Sequence, residues 1–255
     1  MNIRRVNVLG VGISVLNLES ARRAVMEALE GGTKGYICVT GVHGVSEAQE
    51  DAAFRSILNR AFLCVPDGMP MVWAGKAAGF AEMGRVYGPD LMREVCQSTA
   101  ATGHSHFLLG GGAGVAEELK GRLERRFPGI RVAGAFTPPF RPMNEEEEQR
   151  LIAMVRDCKP SIVWIGLSTP KQERFMAAYL ERLDATLLCG VGAAFDFFTG
   201  RVKQAPFWVQ RSGLEWLFRL CQEPRRLWRR YFRNNPRFVF RILCQAAGIH
   251  KYPLE

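Results

Sequence analysis

The stretch SIVWIGLSTPKQERFMAAYLERLDATLLCGV, residues 161–191, decides the fold. Ser161–Gly166 is a short apolar run, Gln172–Leu183 places apolar residues three and four apart, and Thr186–Val191 is a second short apolar run. Apolar runs without alternation read as strands buried on both faces. A helix between two of them is the crossover that parallel strands need.

The same alternation extends toward the amino terminus. Val6–Ser14, Tyr36–Val42, Phe62–Val65, His106–Gly110 and Arg131–Ala135 are predicted strands. Leu18–Glu30, Val45–Arg60, Asp90–Ala101, Val115–Arg126 and Glu145–Cys158 carry the helical period, with Asn17 and Asn144 placed to cap and Pro128-Gly129 and Lys159-Pro160 placed to stop helices. The fold class expected is α/β: a Rossmann-like parallel sheet covered by helices on both faces, spanning residues 1–200. From residue 201 to 255 the texture changes to an Arg- and Trp-rich appendage that reads as amphipathic helices broken at Pro224 and Pro236.

A chain of 255 residues that is 47% hydrophobic can close a sizeable core without staples. Its seven cysteines are odd in number, scattered and mostly set in apolar stretches, which fits a reducing cytoplasm and neither a disulfide framework nor a CxxC metal site. The amino-terminal run MNIRRVNVLGVGISV holds Asn7 and two glycines and lacks a cleavage site, so it reads as a strand and not as a signal peptide. Charged residues interrupt every candidate membrane span. The net charge of +9 lies mostly in the appendage and implies acidic partners.

In open parallel sheets, ligands bind beyond the carboxyl ends of the strands, and four such ends carry polar residues. Thr40-Gly41-Val42-His43-Gly44 offers a hydroxyl and an imidazole, or a plain turn with His43 as a cap. Val65-Pro66-Asp67-Gly68 aims a carboxylate into a cleft, or is a plain Asp-Gly turn. An ionised Asp67 is suited to take a proton from a hydroxyl nucleophile. Arg85-Val86-Tyr87-Gly88-Pro89-Asp90 puts an arginine before a tight turn, where it binds phosphate or pairs with an acid. The last end pairs Ser168–Glu173 with Gly190–Asp196. The glycine runs at 10–12 and 110–114 complete neither GxGxxG nor a P-loop. There is no HExxH, no DxD and no GxSxG, so chemistry without a metal or cofactor is expected.

Taken in order, VPDG, RVYGPDLM, STPKQE, GVGAAFDFFTGRVKQAP and GLEWLFRLCQEPRRLWRRY resemble the WecB/TagA/CpsF family of glycosyltransferases, from about Val39 to Phe238. The resemblance implies transfer of a sugar, often an N-acetylhexosamine, from a UDP-sugar to an undecaprenyl-diphosphate-linked saccharide in surface polymer synthesis, with inversion and without a metal. It also implies that Asp67 is the general base, with Thr40 before it and Arg85 near phosphate. Gln172 and Asp196 would lie at the donor pocket, Gly88 and Gly192 are expected to bind substrate, and Arg219, Arg226 and Arg229 are the appendage arginines that complete the site, on one helical face. Where many members have Thr-x-Asn this chain has Thr40-Gly41-Val42, and His43 stands one position later as a replacement for the missing amide.

The expected setting is the cytoplasmic face of the plasma membrane. Phe207, Trp208, Trp216, Leu217, Phe218, Trp228, Tyr231 and Phe232 suit a helix lying in the interface, and the arginines suit anionic lipid. A nucleic-acid-binding tail, a nucleotide-cofactor oxidoreductase and a non-catalytic scaffold are the rival readings. Arginines grouped with tryptophans on one amphipathic helix favour lipid over nucleic acid, and monomer and oligomer both stay open.

Overall fold

The structure is a computed structural model that describes residues 3–254; Met1, Asn2 and Glu255, at the outer ends of the two expected domains, lie outside the described residues. The chain groups into two compact units. One holds Glu19–Cys38 and Gly88–Lys203; the other holds the residues up to Leu18, Val39–Tyr87 and the stretch from Gln204 onward.

The first of these carries α1 (Leu18–Glu30), β3 (Gly35–Thr40), α5 (Gly88–Thr99), β5 (Ser105–Gly110), α6 (Val115–Arg126), β6 (Arg131–Phe136), α7 (Glu145–Cys158), β7 (Ile162–Gly166), α8 (Lys171–Tyr179), β8 (Leu187–Gly190) and α9 (Ala194–Phe198). The other carries β1 (Arg5–Val8), β2 (Val11–Ser14), α2 (Val42–Glu50), α3 (Ala52–Arg60), β4 (Leu63–Pro66), α4 (Met69–Ala77), α10 (Phe207–Arg211), α11 (Glu215–Gln222) and α12 (Pro224–Ala246). The main sheet has the order β4-β3-β8-β7-β5-β6, and the pairings of β3 with β8, β8 with β7, β7 with β5 and β5 with β6 are all parallel. The α/β Rossmann-like class expected from the sequence is the one observed.

Several elements form for reasons legible in their residues. The α7 helix opens with a capping box, in which Asn144 Oδ1 accepts from Glu147 N at 2.8 Å and the Glu147 carboxylate accepts from Asn144 N. It ends at Lys159, whose left-handed backbone turns the chain into Pro160. In the middle of the sheet, Trp164 is fully buried, and its indole N–H donates to His106 Nδ1 at 2.9 Å. Because an indole is only a donor, the other ring nitrogen must carry the hydrogen of the neutral ring, and His106 Nε2 then donates to Thr99 Oγ1 at 2.8 Å. Thr99 in turn donates to the Val95 carbonyl at 2.8 Å. Every member of this buried polar chain is satisfied, so it fixes the register of α5 on β5 and β7.

Four sequence expectations are corrected. The single first strand is a hairpin: Leu9 and Gly10 both take positive φ, which is the geometry of a tight antiparallel turn, and β1 pairs with β2 in a separate two-stranded sheet. Side chains of Gln49, Asn59 and Gln245 bond the backbone of the turn and hold it in place. The predicted helix Val45–Arg60 is two helices, because Asp51 stands extended and its carboxylate caps α3 by accepting from Phe54 N. The arginines Arg219, Arg226 and Arg229 do not share one helix, since α11 stops at Gln222 and Pro224 opens α12, where its missing N–H is harmless. Finally, Pro236 does not break the chain; α12 runs through it. An internal proline costs about 3 kcal/mol, and burying Leu227 and Phe238 on one face of α12, at roughly 1.5–3 kcal/mol each, outweighs it.

Burial pulls the His106 imidazole down from 6.5 to about 4, with His104 adding to the effect. The unfolded chain therefore takes up a proton that the folded chain refuses across that window. Stability is complete above 6.5 and falls by about 1.4 kcal/mol per pH unit toward the folded value, on the order of 3 kcal/mol in all. Urea unfolding at the two ends of the window should show His106→Gln, which keeps a donor and an acceptor, losing less stability on acidification than the wild type by about that amount. An equal loss in both proteins would remove His106 as the cause.

Candidate active site

The unit that contains β4 gathers most of the expected site residues, and the backbone explains how. Thr40 ends β3, and its carbonyl accepts from Asp67 N at 2.9 Å; Pro66, one residue before Asp67, accepts from Val86 N at 2.8 Å. These two bonds tie the Thr40, Asp67 and Arg85 segments together just past the strand ends. Gly41 is required by close approach: a Cβ there would sit 2.7 Å from the Asp67 carbonyl oxygen. The buried Thr40 hydroxyl accepts from the Cys64 thiol at 3.2 Å.

The Asp67 side chain is 32% exposed, so it is open to a ligand, and its Oδ1 lies 3.9 Å from Arg85 Nη2. Arg85 does not end in solvent. Its Nη1 donates to Gln210 Oε1 at 2.8 Å, and its Nη2 forms a close ion pair with Glu215. Its guanidinium carbon stands 4.1 Å from the centre of the Tyr87 ring. Burial, and then the negative charges of Glu215 and Asp67, push the Tyr87 hydroxyl well above its ordinary value. Arg219 belongs to the same cluster: burial opposes its charge, but Tyr231, Tyr87, Glu215 and Asp67 more than offset that and raise it. The arrangement is a part-buried field in which the Asp67 and Glu215 carboxylates face Arg85 and Arg219, with Asp67 Oδ2 the carboxylate atom on the Gly41 side.

The remaining expected residues of this unit are placed differently. His43, on α2, has its Nδ1 3.1 Å from the Asn234 amide of α12 and 3.6 Å from Glu47, so it helps hold α12 on α2. Arg233 and Arg237 reinforce that seam through Glu50. Arg226 is exposed and pairs with Glu223, while Arg229 is exposed over Trp228. Arg230, which the sequence reading passed over, is the α12 arginine that shares surroundings with Arg219, Tyr231 and Glu47.

In the other unit, Gln172 is buried and its Oε1 accepts from Gly192 N at 3.0 Å, so the side chain pins the turn after β8 to the start of α8. Its Nε2 donates to Glu173 Oε1 at 3.1 Å, which also accepts from Thr169 Oγ1 at 2.8 Å. Glu173 is 1% exposed, and burial raises its carboxyl. Asp196 lies in the first turn of α9, and its carbonyl accepts from Arg201 N. Gly88 is buried as the first residue of α5.

Tyr87, Gln210, Glu215 and Arg230 are the cluster members that sequence reasoning did not single out, and Tyr231, expected on the interfacial face, stands beside Arg219 and Glu215. Glu215 stood inside the quoted GLEW stretch, but helical period alone puts a glutamate on the wet face. Among the described residues no three His, Cys, Asp or Glu side chains gather as a metal site.

The Glycosyl transferase WecG/TagA/CpsF family matches this chain over residues 6–252. The N-acetylglucosaminyldiphosphoundecaprenol N-acetyl-beta-D-mannosaminyltransferase of Bacillus spizizenii is 30% identical over 211 residues, 82% of this chain and 79% of that protein.

The close approach at Gly41 yields a direct test. Gly41→Ala must push the Asp67 backbone away and should cost about 1–3 kcal/mol in urea unfolding. Gly121→Ala, in an open position of α6, should gain up to about 1 kcal/mol instead. Equal effects at the two positions would mean that the Asp67 turn yields freely.

Proposed function

The chain belongs to the WecG/TagA/CpsF family of glycosyl transferases, and on that footing we propose that it moves an N-acetylhexosamine from a UDP-sugar to an undecaprenyl-diphosphate-linked saccharide, with inversion. The name of the Bacillus spizizenii relative makes N-acetylmannosamine the first donor sugar to try, and an N-acetylglucosaminyl diphosphate lipid the first acceptor. The observation that carries the reading is the part-exposed Asp67 carboxylate held at a strand end 3.9 Å from Arg85.

In this reading Asp67 takes the proton of the acceptor hydroxyl while that oxygen attacks the anomeric carbon. The bond from that carbon to the UDP oxygen breaks, and UDP leaves with its electron pair. A single carboxylate suffices for one in-line displacement. No metal is needed if fixed cations meet the charge that develops on UDP, and Arg219 and Arg85 are the cations gathered near Asp67. In its own unit Gln172 fixes the turn that carries Gly192, and Gln172, Gly192, Gly88 and Asp196 are the substrate-binding residues proposed there. His43 acts through its hold on α12. Thr40 sets the Asp67 backbone.

The acceptor lies in a membrane, and the carboxyl-terminal segment suits one. Phe207 is 72% and Trp208 70% exposed, and Phe232, Phe240 and Leu243 are also mostly exposed. Arg226 and Arg229 lie among them and would meet lipid phosphate or the acceptor diphosphate, each worth about 1 kcal/mol near an anionic leaflet. No helix among the described residues is long and apolar enough to cross a bilayer, so the proposed attachment is peripheral, at the cytoplasmic face.

Transfer of labelled sugar from a panel of UDP-sugars to polyprenyl-diphosphate acceptors, with EDTA present, tests this. Asp67→Asn should reduce the rate by about 10²–10⁴-fold while the protein stays folded. Trp208→Ser combined with Phe240→Ser should weaken co-sedimentation with anionic vesicles and leave the fold intact, since both side chains are exposed. A folded wild-type chain that neither transfers sugar nor binds UDP would overturn the proposal.

A further inference from the structure

The guanidinium of Arg85 faces two carboxylates with one nitrogen. Nη2 pairs closely with Glu215 and lies 3.9 Å from Asp67, while Nη1 donates to Gln210 at 2.8 Å. The Arg85 and Glu215 side chains are only 14% and 15% exposed. We infer that Glu215 is a positioning residue of the active site: it holds Arg85 and α11 in place, and its negative charge keeps Asp67 basic beside an arginine. This rests on the reading of Asp67 as the base.

Two physical steps support it. First, an arginine 3.9 Å away would by itself favour ionised Asp67 and weaken it as a base. Glu215 takes the closer share of that nitrogen and contributes a compensating negative charge. The charged and titratable groups facing this pair are Arg85, Tyr87 and Arg219, with Tyr231 facing Glu215 and Arg219 from α12, where Arg226 and Arg230 stand beside Tyr231. With Glu215 ionised, two carboxylates face Arg85 and Arg219, with Arg230 behind them; without it the excess of positive charge beside Asp67 rises by one. Second, Glu215 and Arg219 stand one turn apart on α11, so fastening Glu215 to Arg85 also seats Arg219 in the cluster. Gln210 repeats the attachment from α10, and its Nε2 donates to the Ala205 carbonyl at 2.8 Å, so the second contact is itself held.

The test uses the full chain as wild type, Glu215→Gln, Glu215→Asp and Asp67→Asn. Transfer rates are followed across pH, and backbone hydrogen exchange is followed over α11. Both carboxylates lie within about 4 Å of one nitrogen, so losing the Glu215 charge should move the acid limb of the kcat profile down on the order of 1 pH unit. Glu215→Gln should lower kcat about 10–100-fold, with less than about 3-fold change in KM for the UDP-sugar. Exchange over α11 should quicken about 10-fold or more. Glu215→Asp, which keeps the charge, should restore the acid limb. A Glu215→Gln profile that overlays the wild type in pH, or a defect confined to KM, overturns the inference. If Asp67→Asn keeps the wild-type rate, the assignment of the base falls. Glu215 is then judged by exchange alone, and unchanged exchange over α11 overturns its positioning role as well.

Discussion

A guanidinium taken largely out of water must find its acceptors in the protein, and Arg85 finds them in the carboxyl-terminal segment. That requirement organises the unit that contains β4. The backbone bonds from Asp67 to Thr40 and from Val86 to Pro66 fix where Arg85 starts. The acceptors Gln210 and Glu215 fix where it ends. Removing one partner of such a pair leaves a buried charge uncompensated, which costs several kcal/mol, whereas the pair itself contributes little net stability. The arrangement is therefore better understood as specifying where α10 and α11 sit than as stabilising the fold.

The stability of that attachment comes from elsewhere. The α12 helix buries only Leu227, Asn234 and Phe238, spaced seven and four apart on one stripe, and packs against α2. Around the stripe run the polar contacts of His43 with Asn234 and of Glu50 with Arg233 and Arg237. Exposed pairs of the Glu50 kind contribute at most about 1 kcal/mol each, so the apolar stripe holds the helix and the polar rim sets its register. This also explains why Pro236 is tolerated: the stripe spans both sides of it.

Much of this was legible in the residues, and the failures have physical causes. All eight strands fall within the expected apolar runs or within a residue of them, although β1 and β2 share one run, and α1, α6 and α7 have the expected bounds, because their apolar period is strong and α7 adds a capping box. The hairpin was hidden by Leu9, since a positive φ at leucine has no sequence signal. The break at Asp51 was hidden because the apolar period continues across it. The helix Met69–Ala77 has no counterpart among the expected helices; Pro70 stands in its first turn and Gly75 makes room for Met83. In the site, Asp67 and Arg85 were found from strand ends, where chemistry-bearing residues are expected in such sheets. Glu215 was not, because period reveals which residues share a face and not which face turns inward.

The α11 helix shows why that last limit matters. Glu215 and Arg219 turn toward the Asp67 cluster, while Trp216 and Leu217 are substantially exposed. A helix on a water-facing surface does the reverse, turning its apolar stripe inward and its charges out. Under the proposed function both faces have a use: the charged face meets a diphosphate and the acceptor hydroxyl, and the apolar face meets the medium that holds the acceptor lipid. In water alone, leaving Trp216 37% and Leu217 43% exposed forgoes part of the roughly 1.5–3 kcal/mol that fully burying an apolar side chain of leucine size would give. In a membrane interface that gain is recovered without moving a single contact of Glu215 or Arg219. Inverted polarity of this kind therefore links the chemistry to the surface at which it would take place: the segment that supplies charge to the site is the same one that water leaves unsatisfied.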